Sequence, residues 1–366
     1  MLPLVVAELQ SGRETLKSLE EKYHLDITPG RKDWSKSLVS IRYNMIESDL
    51  RIPLVQECRG LVLDIEDNFK VVCRGFDKFF NYGEPEAAEI DWSTAKVQEK
   101  VDGSCCMLFH YLGLWCVATL GSPDASGRAG TSPLTFTELF FEEFFKKFHP
   151  DFLNYVVPKE ATHIFELTSP STTVIVPHSK TNLTYLASRL QTGEYLDNST
   201  LFGVENSVRQ FPLTSFAEII KSFDNFSGIE QEGYVVVDSL GRRVKVKHPQ
   251  YTALHHISNG SSGWRRLQVV LTGEMPEILA TSPEFAGALN PVKEAFERFV
   301  KDSETLWESV KSIEDRKSFA LKVKDHPASA YFFLRKSGKA NGVKTFYKGA
   351  TDSTIKNLYA VLGFKD

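Results

Sequence analysis

Two runs of β-branched and apolar residues flank a short turn in the segment from Glu232 to Lys247. The turn-forming residues at 239–241 separate the runs, a pattern typical of an antiparallel hairpin. Similar short runs recur from Leu38 onward between turn-forming residues, so antiparallel sheet is predicted for most of the first 256 residues. The predicted strands are at 38–43, 60–65, 70–76, 95–99, 104–111, 114–120, 163–167, 172–176 and 183–189.

The last third of the chain has a different pattern. Apolar residues recur at helical spacing after about residue 256, and Gly and Ser dominate a linker-like stretch at 259–263. The predicted fold class is α+β, with an antiparallel β-rich domain at 1–256, an all-α domain at 264–366 and an amphipathic opening helix at 4–23. The helices predicted in the second domain are at 264–271, 290–302, 305–311, 317–324 and 353–362.

The composition is that of an ordinary globular protein. With 366 residues the chain is long enough for two domains, and its net charge of −4 means that a nucleic-acid partner needs a local basic patch. Five cysteines without a Cys-x-x-Cys spacing favour reduced thiols over disulfides or a zinc site. No apolar run suits a signal peptide or a membrane span, so we expect a cytoplasmic protein without a membrane partner, in the host cytoplasm if it is viral.

One lysine lies just before an Asp-Gly turn at the end of a predicted strand. Lys100 is followed by Val101, Asp102 and Gly103. A lysine becomes a nucleophile only when burial or nearby positive charge favours its neutral amine. A turn that ends a strand needs the same Asp-Gly pair, so the pattern alone leaves both interpretations open.

Further charged residues belong to the same predicted sheet system. Lys245 and Lys247 are two apart in a strand and point to one face, where a bound anion would relieve their repulsion. Lysines that protect an exposed edge strand give the same pattern. Glu232 opens the partner strand, and Glu166 lies in an apolar strand where a carboxylate needs a polar partner. Solvation explains either glutamate singly, but the whole set favours metal-assisted phosphate chemistry.

The order of these motifs resembles that of the covalent lysyl-nucleotidyltransferases, which comprise DNA ligases, RNA ligases and mRNA capping enzymes. Two upstream segments, 57–60 with Arg59 and 77–81 with Lys78, are similar to those of ATP-dependent RNA ligases of the bacteriophage T4 RNA ligase 1 type, as is Tyr251. The resemblance covers about residues 38–256. It implies that the β-rich domain is a nucleotidyltransferase domain in which lysine carries the nucleotide.

The resemblance implies an RNA ligase that uses ATP and Mg²⁺, with Mn²⁺ as an alternative. Lys100 would take AMP from ATP, the AMP would pass to the 5′-phosphate of a single-stranded or tRNA-like RNA, and a 3′-hydroxyl would displace it. An end-healing kinase or phosphatase is an implied partner. The implied roles are catalysis by Lys100, Lys245 and Lys247, nucleotide binding by Arg59, Lys78, Asp102, Gly103, Glu166, Glu232, Lys245 and Lys247, and metal binding by Glu232 and Glu166.

The chain departs from that branch in two places. Its relatives have cations in the strand after the nucleophile, whereas 118–122 here reads Ala-Thr-Leu-Gly-Ser. Arg128 could replace them if its loop folds back. The stretch 171–173, Ser-Thr-Thr, also lacks an expected basic residue. These differences concern phosphate or RNA-end contacts rather than the nucleotidyl-transfer residues.

Cations and aromatic residues alternate between 321 and 349 in the predicted helical domain. Such a mixture suits RNA, since phosphates attract the cations and unstacked bases stack on the rings. A solvated helix face above an aromatic core has the same composition. The segment does not resemble the β-barrel that most DNA ligases and capping enzymes append. DNA ligation, GTP-dependent capping and a degenerate RNA-binding relative are the alternative functions.

Overall fold

The computed structural model describes residues 2–44, 47–196, 200–258, 263–272, 275, 279, 285–340 and 342–365. The chain divides into two compact units, residues 1–251 and 252–366. Each unit has a hydrophobic core of its own. The predicted linker at 259–263 lies outside the described residues except for Gly263.

Strands dominate the first unit, and the second is helical, which confirms the predicted α+β class. The strands of the described chain are β1 (Leu25–Pro29), β2 (Leu38–Tyr43), β3 (Arg59–Asp64), β4 (Lys70–Cys73), β5 (Phe80–Asn81), β6 (Lys96–Glu99), β7 (Ser104–Tyr111), β8 (Leu114–Thr119), β9 (Ala161–Thr168), β10 (Asn182–Leu190), β11 (Tyr195–Leu196), β12 (Gln210–Phe211), β13 (Gly233–Val237) and β14 (Arg243–Lys247).

These strands form three sheets. The strand order is β1-β2-β3-β4 in the first sheet, β11-β10-β9-β7-β8 in the second and β12-β6-β13-β14-β5 in the third. The β5–β14 pairing is parallel, whereas β6, β13 and β14 pair antiparallel. The predicted hairpin at 232–247 is confirmed as β13 and β14, with Gly233 opposite Lys247 and Val235 opposite Lys245.

Helices cover the sheets of the first unit. The prediction of one opening helix is wrong, because the chain turns at Gly12 with φ +71° and restarts where Thr15 Oγ1 accepts from the Ser18 N–H at 3.1 Å. The helices are α1 (Leu4–Gln10), α2 (Leu16–Tyr23), α3 (Pro53–Glu57), α4 (Phe136–Lys147), α5 (Pro150–Tyr155), α6 (Phe216–Ser222) and α7 (Pro249–Ser258), the last of which crosses the boundary between the units.

Aromatic residues pack α4 onto the second sheet. Phe140 and Phe144 are completely buried, and the ring centroids of Phe140 and Phe165 lie 5.4 Å apart. Because α4 covers this sheet, the strands that carry Glu166 and the chain after Lys100 rest on a rigid core.

The predicted strand at 172–176 is wrong. Pro170 starts a 3₁₀ turn at Pro170–Thr172, and Thr173 Oγ1 donates to the Ser169 carbonyl at 3.4 Å. The backbone N–H groups of Ile175 and Val176 donate to the carboxylate of Asp102 rather than to a neighbouring strand. A β-branched run has the composition of a strand but forms one only where a ladder partner is free.

The second unit is a helical domain with an aromatic core. Tyr331, Phe332 and Tyr347 are at most 3% exposed, so these rings pack inside rather than stack on RNA bases. Many of the nearby lysines are exposed. Its described helices are α8 (Trp264–Thr272), α9 (Ala286–Val310), α10 (Arg316–Val323), α11 (Ser329–Lys336), α12 (Val343–Lys348) and α13 (Asp352–Val361), so the two helices predicted at 290–302 and 305–311 are one.

The sequence also leads us to expect reduced thiols and no membrane-spanning segment, which can be compared with the cysteines and helices of the structure. All five cysteines are free, and Cys106 lies in the core between β-strands. Within the described part of the chain, no helix has both the length and the apolar character needed to cross a membrane.

Candidate active site

Three lysines meet at one end of the third sheet. Lys100 directly follows β6, and its backbone N–H donates to the Gly233 carbonyl at 2.9 Å. Because Gly233 is the β-partner of Lys247, the strands β6, β13 and β14 bring Lys100 and Lys247 together. Lys245 lies two residues earlier on β14 and lines the same cavity as both.

Glu232 joins two of these lysines. Its Oε2 accepts a hydrogen bond from Lys100 Nζ at 2.6 Å, and its Oε1 lies 2.9 Å from Lys247 Nζ. The Glu232 side chain is 3% exposed, and a buried carboxylate is tolerated only when it is paired. The pair of ion bridges therefore fixes both ammonium groups over the cavity.

The glycine beside this carboxylate allows the close strand pairing. Gly233 has φ +140°, and a Cβ at this position would lie 2.2 Å from the Val246 carbonyl oxygen. A larger residue would push β13 away from β14 and separate Glu232 from Lys247. The absence of a side chain at Gly233 therefore lets β14 approach β13.

Lys245 has an unusual charge state. Burial, with help from neighbouring cations, lowers the pKa of Lys245 to about 7, and burial also lowers the pKa of Lys78. A bound anion would reverse that shift by favouring the ammonium form. The crowded lysines therefore favour a negatively charged ligand in this cavity. The cations that act on Lys245 are Lys78, Lys100, Lys247 and Arg59.

Asp102 anchors the turn that follows Lys100. Its Oδ2 accepts from the Ile175 and Val176 N–H groups at 2.9 and 2.7 Å, and its Oδ1 accepts from the Tyr251 hydroxyl at 2.7 Å. Both oxygens are therefore used within the protein, and Asp102 is 5% exposed. The structure gives this residue a turn-shaping position, and nucleoside contact by Asp102 stays a prediction.

Gly103 and Tyr251, which the sequence also singled out, lie next to Asp102, the residue that anchors the turn after Lys100. A Cβ on Gly103 would lie 2.6 Å from the Leu167 carbonyl oxygen, so only glycine lets the turn rest against β9. Tyr251 is 1% exposed, and Lys247 Nζ lies 5.2 Å from the centre of its ring. Tyr251 thereby connects the turn after Lys100 with the lysines of β14.

Glu166 lies on β9 and lines a cavity with Lys100 and Arg59. Burial raises the pKa of its carboxyl to about 7, and the charge of Glu232 acts in the same direction, whereas Lys100 and Arg59 oppose the shift. A metal ion in the cavity would favour the ionised form. Glu166 is thus a carboxylate that needs a cation to be fully charged at neutral pH.

We expect Glu166 to make the protein's stability depend on pH. Its folded-state pKa is above the usual value of 4.5, so its contribution to stability is fully present below about pH 4.5 and is lost as the pH rises from there to about 7. Without metal or nucleotide, the stability of Glu166→Gln relative to the wild type should rise by about 2 kcal/mol between about pH 5 and pH 7, where the carboxyl is ionised in the unfolded chain but not in the folded one. Denaturant unfolding at both pH values measures this; an equal difference at both would contradict it.

Two cavities meet at Lys100. The smaller one, of about 230 Å³, has a mixed lining: Val101, Leu186 and Val208 are apolar, whereas Glu99, Glu166 and Arg243 are charged. The other, the cationic cavity of about 500 Å³, is lined mainly by cations, with one carboxylate, that of Asp26. Lys100, Arg59, Phe79 and Leu120 line both. The cations around the larger cavity are Arg42, Arg59, Lys78, Lys100, Lys245 and Lys247.

Arg59 has an unused donor in this cluster. Its Nη1 is buried and has no hydrogen-bond partner among the residues that the structure describes. The Arg59 guanidinium lies 5.5 Å from the Phe79 ring, as does Lys245 Nζ. A buried donor without a partner is costly, and a phosphate oxygen would satisfy it.

The sequence did not identify several residues of this site. Arg42, Tyr43 and Asn44 line the cationic cavity from the end of β2, and Phe79 lines both cavities. Phe79 lies inside a segment that the resemblance had already marked. Arg42 and Tyr43 belong to the first sheet and Asn44 follows them, and no local pattern shows that this sheet reaches the lysines of the third.

A comparison with known families decides which proteins this chain is related to. The family model described as RNA ligase matches residues 57–251, more than half of the chain. The chain belongs to the RNA ligase family. The predicted type, that of bacteriophage T4 RNA ligase 1, is confirmed, as is the prediction of an RNA ligase enzyme.

Individual relatives of this RNA ligase come from viruses. The RNA ligase of Rhodothermus phage RM378 is 27% identical over 380 residues, covering 82% of this chain and 86% of the phage protein. A baculovirus protein of Autographa californica nuclear polyhedrosis virus, named as a bifunctional polynucleotide kinase/RNA ligase, is 30% identical over 307 residues. The match covers 79% of this chain and 43% of the baculovirus protein.

Among solved structures, an archaeal ATP-dependent RNA ligase matches this RNA ligase with a TM-score of 0.45 and 16% identity. The match covers 93% of this chain and 84% of the archaeal one.

The residues of this RNA ligase fit a nucleotide and a divalent metal ion. The unused Arg59 donor and the depressed pKa of Lys245 both favour a bound polyphosphate. Among the described residues there is no group of three or more metal-ligating side chains. Glu166 and Glu232 supply two carboxylates, and Mg²⁺ at nucleotide sites commonly uses one or two carboxylates with phosphate oxygens and waters.

Proposed function

We propose that this protein is an ATP-dependent RNA ligase that joins 5′-phosphate and 3′-hydroxyl ends through a lysyl-AMP on Lys100. The proposal rests on one observation: Lys100 lines both the smaller cavity and the cationic cavity, so it lies where the two meet. A nucleoside in the first and a triphosphate in the second would bring the α-phosphorus to Lys100 Nζ. A lysine at any other position along either cavity would meet the base or the terminal phosphates instead.

The first step follows from this placement. Lys100 Nζ, after its ammonium group has lost one proton, forms a bond to the α-phosphorus while the bond to the bridging oxygen of the β-phosphate breaks and pyrophosphate leaves; the nitrogen then releases a second proton. Glu232 Oε2 accepts a hydrogen bond from Lys100 Nζ and keeps it oriented. Lys245 and Lys247 are placed to stabilise the extra negative charge at the α-phosphate, and Arg59 and Lys78 that on the leaving pyrophosphate.

The second and third steps of the reaction take place in the same cavities. An RNA 5′-phosphate oxygen forms a bond to the lysyl-AMP phosphorus while the N–P bond breaks; the electron pair returns to Lys100 Nζ, which takes up a proton and leaves as the amine. The RNA 3′-hydroxyl then attacks the 5′-phosphate, loses its proton, and releases AMP. Glu166 and Glu232 would hold a divalent metal ion, which neutralises phosphate charge when it is bound.

The proposal is tested by incubation with each nucleoside triphosphate labelled at the α-phosphate, followed by a denaturing gel. We expect label retained from ATP and, with Mg²⁺ or Mn²⁺, joining of 5′-phosphate RNA to 3′-hydroxyl RNA. Label from GTP alone would favour capping, and joining of nicked DNA but not RNA would favour a DNA ligase. Label without joining of any strand would favour a degenerate relative or another acceptor.

We propose that RNA also contacts the exposed lysines of the helical unit. Replacing Lys322, Lys324, Lys339, Lys344 and Lys348 by alanine should weaken RNA binding at least about 10-fold, because each phosphate contact adds affinity. Lysyl-AMP formation should be unchanged, since the nucleotide cavities lie in the first unit. Filter binding at two salt concentrations and the ATP-labelling assay measure the two properties.

A matched control comes from the same unit. Alanine at Lys293, Lys301 and Lys311, all exposed on or next to α9, should change RNA affinity less than about twofold. Equal loss with both sets would mean that net charge, not this surface, attracts RNA. Loss of adenylation with the five-lysine variant would contradict the separate roles.

The setting of the reaction is also a proposal. Free thiols at all five cysteines favour a reducing compartment, and we place the protein in the cytoplasm. The name of the baculovirus relative pairs ligase with kinase activity, which supports an end-healing kinase as a partner. Damaged tRNA-like RNA is the proposed substrate.

A further inference from the structure

We propose that Arg42, oriented by Asp26, binds the terminal phosphates of ATP and replaces the cation that is missing from β8. The inference rests on the proposed function, because it assigns a ligand to the cationic cavity. It concerns a residue from the first sheet, far in sequence from the motifs that identify the family.

The local structure holds Arg42 in one orientation. Asp26 on β1 pairs with Arg42 on β2, and Asp26 Oδ2 accepts a hydrogen bond from Arg42 Nη2 at 2.9 Å. The two side chains are 42% and 47% exposed. The pair uses one edge of the guanidinium and leaves the other donors of Arg42 for a ligand; because both side chains are exposed, it contributes little to stability.

The position of Arg42 matches the missing cation. Its Nη1 lies 3.4 Å from where a Cβ of Gly121 would be, directly after Leu120. Gly60 on β3, with φ +79°, allows contact with the Leu120 backbone, because a Cβ there would lie 2.7 Å from Leu120 Cα. The first sheet therefore packs on the chain that follows β8, and Arg42 lies where a side chain at position 121 would reach.

Neither Arg128 nor the residues at the end of β8 place a positive charge in the cationic cavity. Arg128, which the sequence suggested, donates from Nε to the Ser132 carbonyl at 3.2 Å and is not among the described residues that line the cavity. Ala118 is completely buried in the core. Leu120 lines the cavity with an apolar side chain. Of Arg42, Ala118, Leu120 and Arg128, only Arg42 is a positively charged residue that lines the cavity.

The cavity walls indicate which phosphates Arg42 meets. Lys100 lines both cavities and marks the α-phosphate, whereas Lys78, which is assigned to the leaving pyrophosphate, lines only the cationic cavity. Arg42, Tyr43 and Asn44 line only the cationic cavity. Arg42 is therefore on the side away from the nucleoside, where the β- and γ-phosphates of ATP would lie and pyrophosphate would leave.

Separate assays of the reaction steps test this assignment. Arg42→Ala should raise the KM for ATP in lysyl-AMP formation about 10- to 100-fold, the range expected for one charge-assisted contact. Joining of a chemically pre-adenylated RNA should stay within about twofold, because that substrate has no β- or γ-phosphate of ATP. Asp26→Asn should raise the KM less, since Arg42 keeps its charge.

Two further variants make the test specific. Arg51→Ala removes another exposed arginine that is paired with a neighbouring aspartate, at 2.8 Å from Asp49, and should leave all steps unchanged. Leu120→Lys in the Arg42→Ala background should restore much of the ATP affinity by placing a cation at the same position.

Two results would overturn the inference. One is an unchanged KM for ATP in Arg42→Ala; the other is normal lysyl-AMP formation with lost transfer to 5′-phosphate RNA, which would assign Arg42 to the RNA. Absence of a lysyl adduct in the wild type would instead reject the proposed function itself.

Discussion

Lys100→Ala should reduce lysyl-AMP formation from ATP by at least about 10³-fold, the scale of loss when a covalent nucleophile is removed. Lys245 and Lys247 cannot replace it, because β14 directs them into the cationic cavity on one side of the meeting point. Joining of RNA from ATP should be lost to the same extent. The measurement is retention of α-phosphate label on the protein in a denaturing gel.

The same variant should keep the last step of the reaction. Pre-adenylated RNA already carries the AMP, so Lys100→Ala should still join it to a 3′-hydroxyl within about 10-fold of the wild-type rate. Lys96→Ala is the matched control, since Lys96 is an exposed lysine on the same strand, β6. Label retained by Lys100→Ala, or lost by Lys96→Ala, would contradict the assignment.

Lys245→Met is expected to slow lysyl-AMP formation by about 10²- to 10³-fold, the usual cost of removing a donor that stabilises transition-state charge. Methionine keeps most of the length and removes the charge. The wild type should also bind ATP less tightly as the pH rises through about 7, because Lys245 becomes neutral there. Lys245→Met should show a weaker dependence, measured as nucleotide affinity across pH.

Proton uptake gives an independent test of the Lys245 prediction. At about pH 8 the empty protein holds Lys245 mostly neutral, and a triphosphate favours the ammonium, so binding should take up close to one proton. Calorimetry with an α,β-methylene analogue of ATP, in two buffers of different ionisation enthalpy, measures this number. Lys96→Met should behave as the wild type, and an uptake unaffected by Lys245→Met would rule out Lys245 as its source.

The sequence predicted the parts of the site that depend on local pattern. The hairpin of β13 and β14 follows from two β-branched runs around a turn, and that hairpin alone places Lys245, Lys247 and Glu232 at one sheet end. The order of motifs then added Lys100, Arg59 and Lys78. All of these residues line the two cavities or touch a residue that does.

The sequence could not predict features that depend on which elements meet. The run at 172–176 has strand composition, but Ile175 and Val176 donate to Asp102 instead of joining a ladder. Arg42 looks like an ordinary outward side chain of β2, and its place in the cavity depends on packing between sheets. Such contacts join residues far apart in the chain, which no local periodicity encodes.

Aromatic residues of the helical unit show the same limit. Tyr331 and Tyr347 alternate with cations in the sequence, as rings of an RNA-binding surface do, yet both are buried in the core. Composition indicates neither which side of a helix faces the core nor which lysines stay exposed. Only the cations remain as a proposed RNA contact.

The most direct measurement is tandem mass spectrometry of the protein after incubation with ATP and Mg²⁺. We predict a single adenylyl group attached to Lys100, formed with release of pyrophosphate and removed when a 5′-phosphate RNA is added. An adenylyl group on another residue, or none under conditions in which the protein joins RNA, would contradict the account.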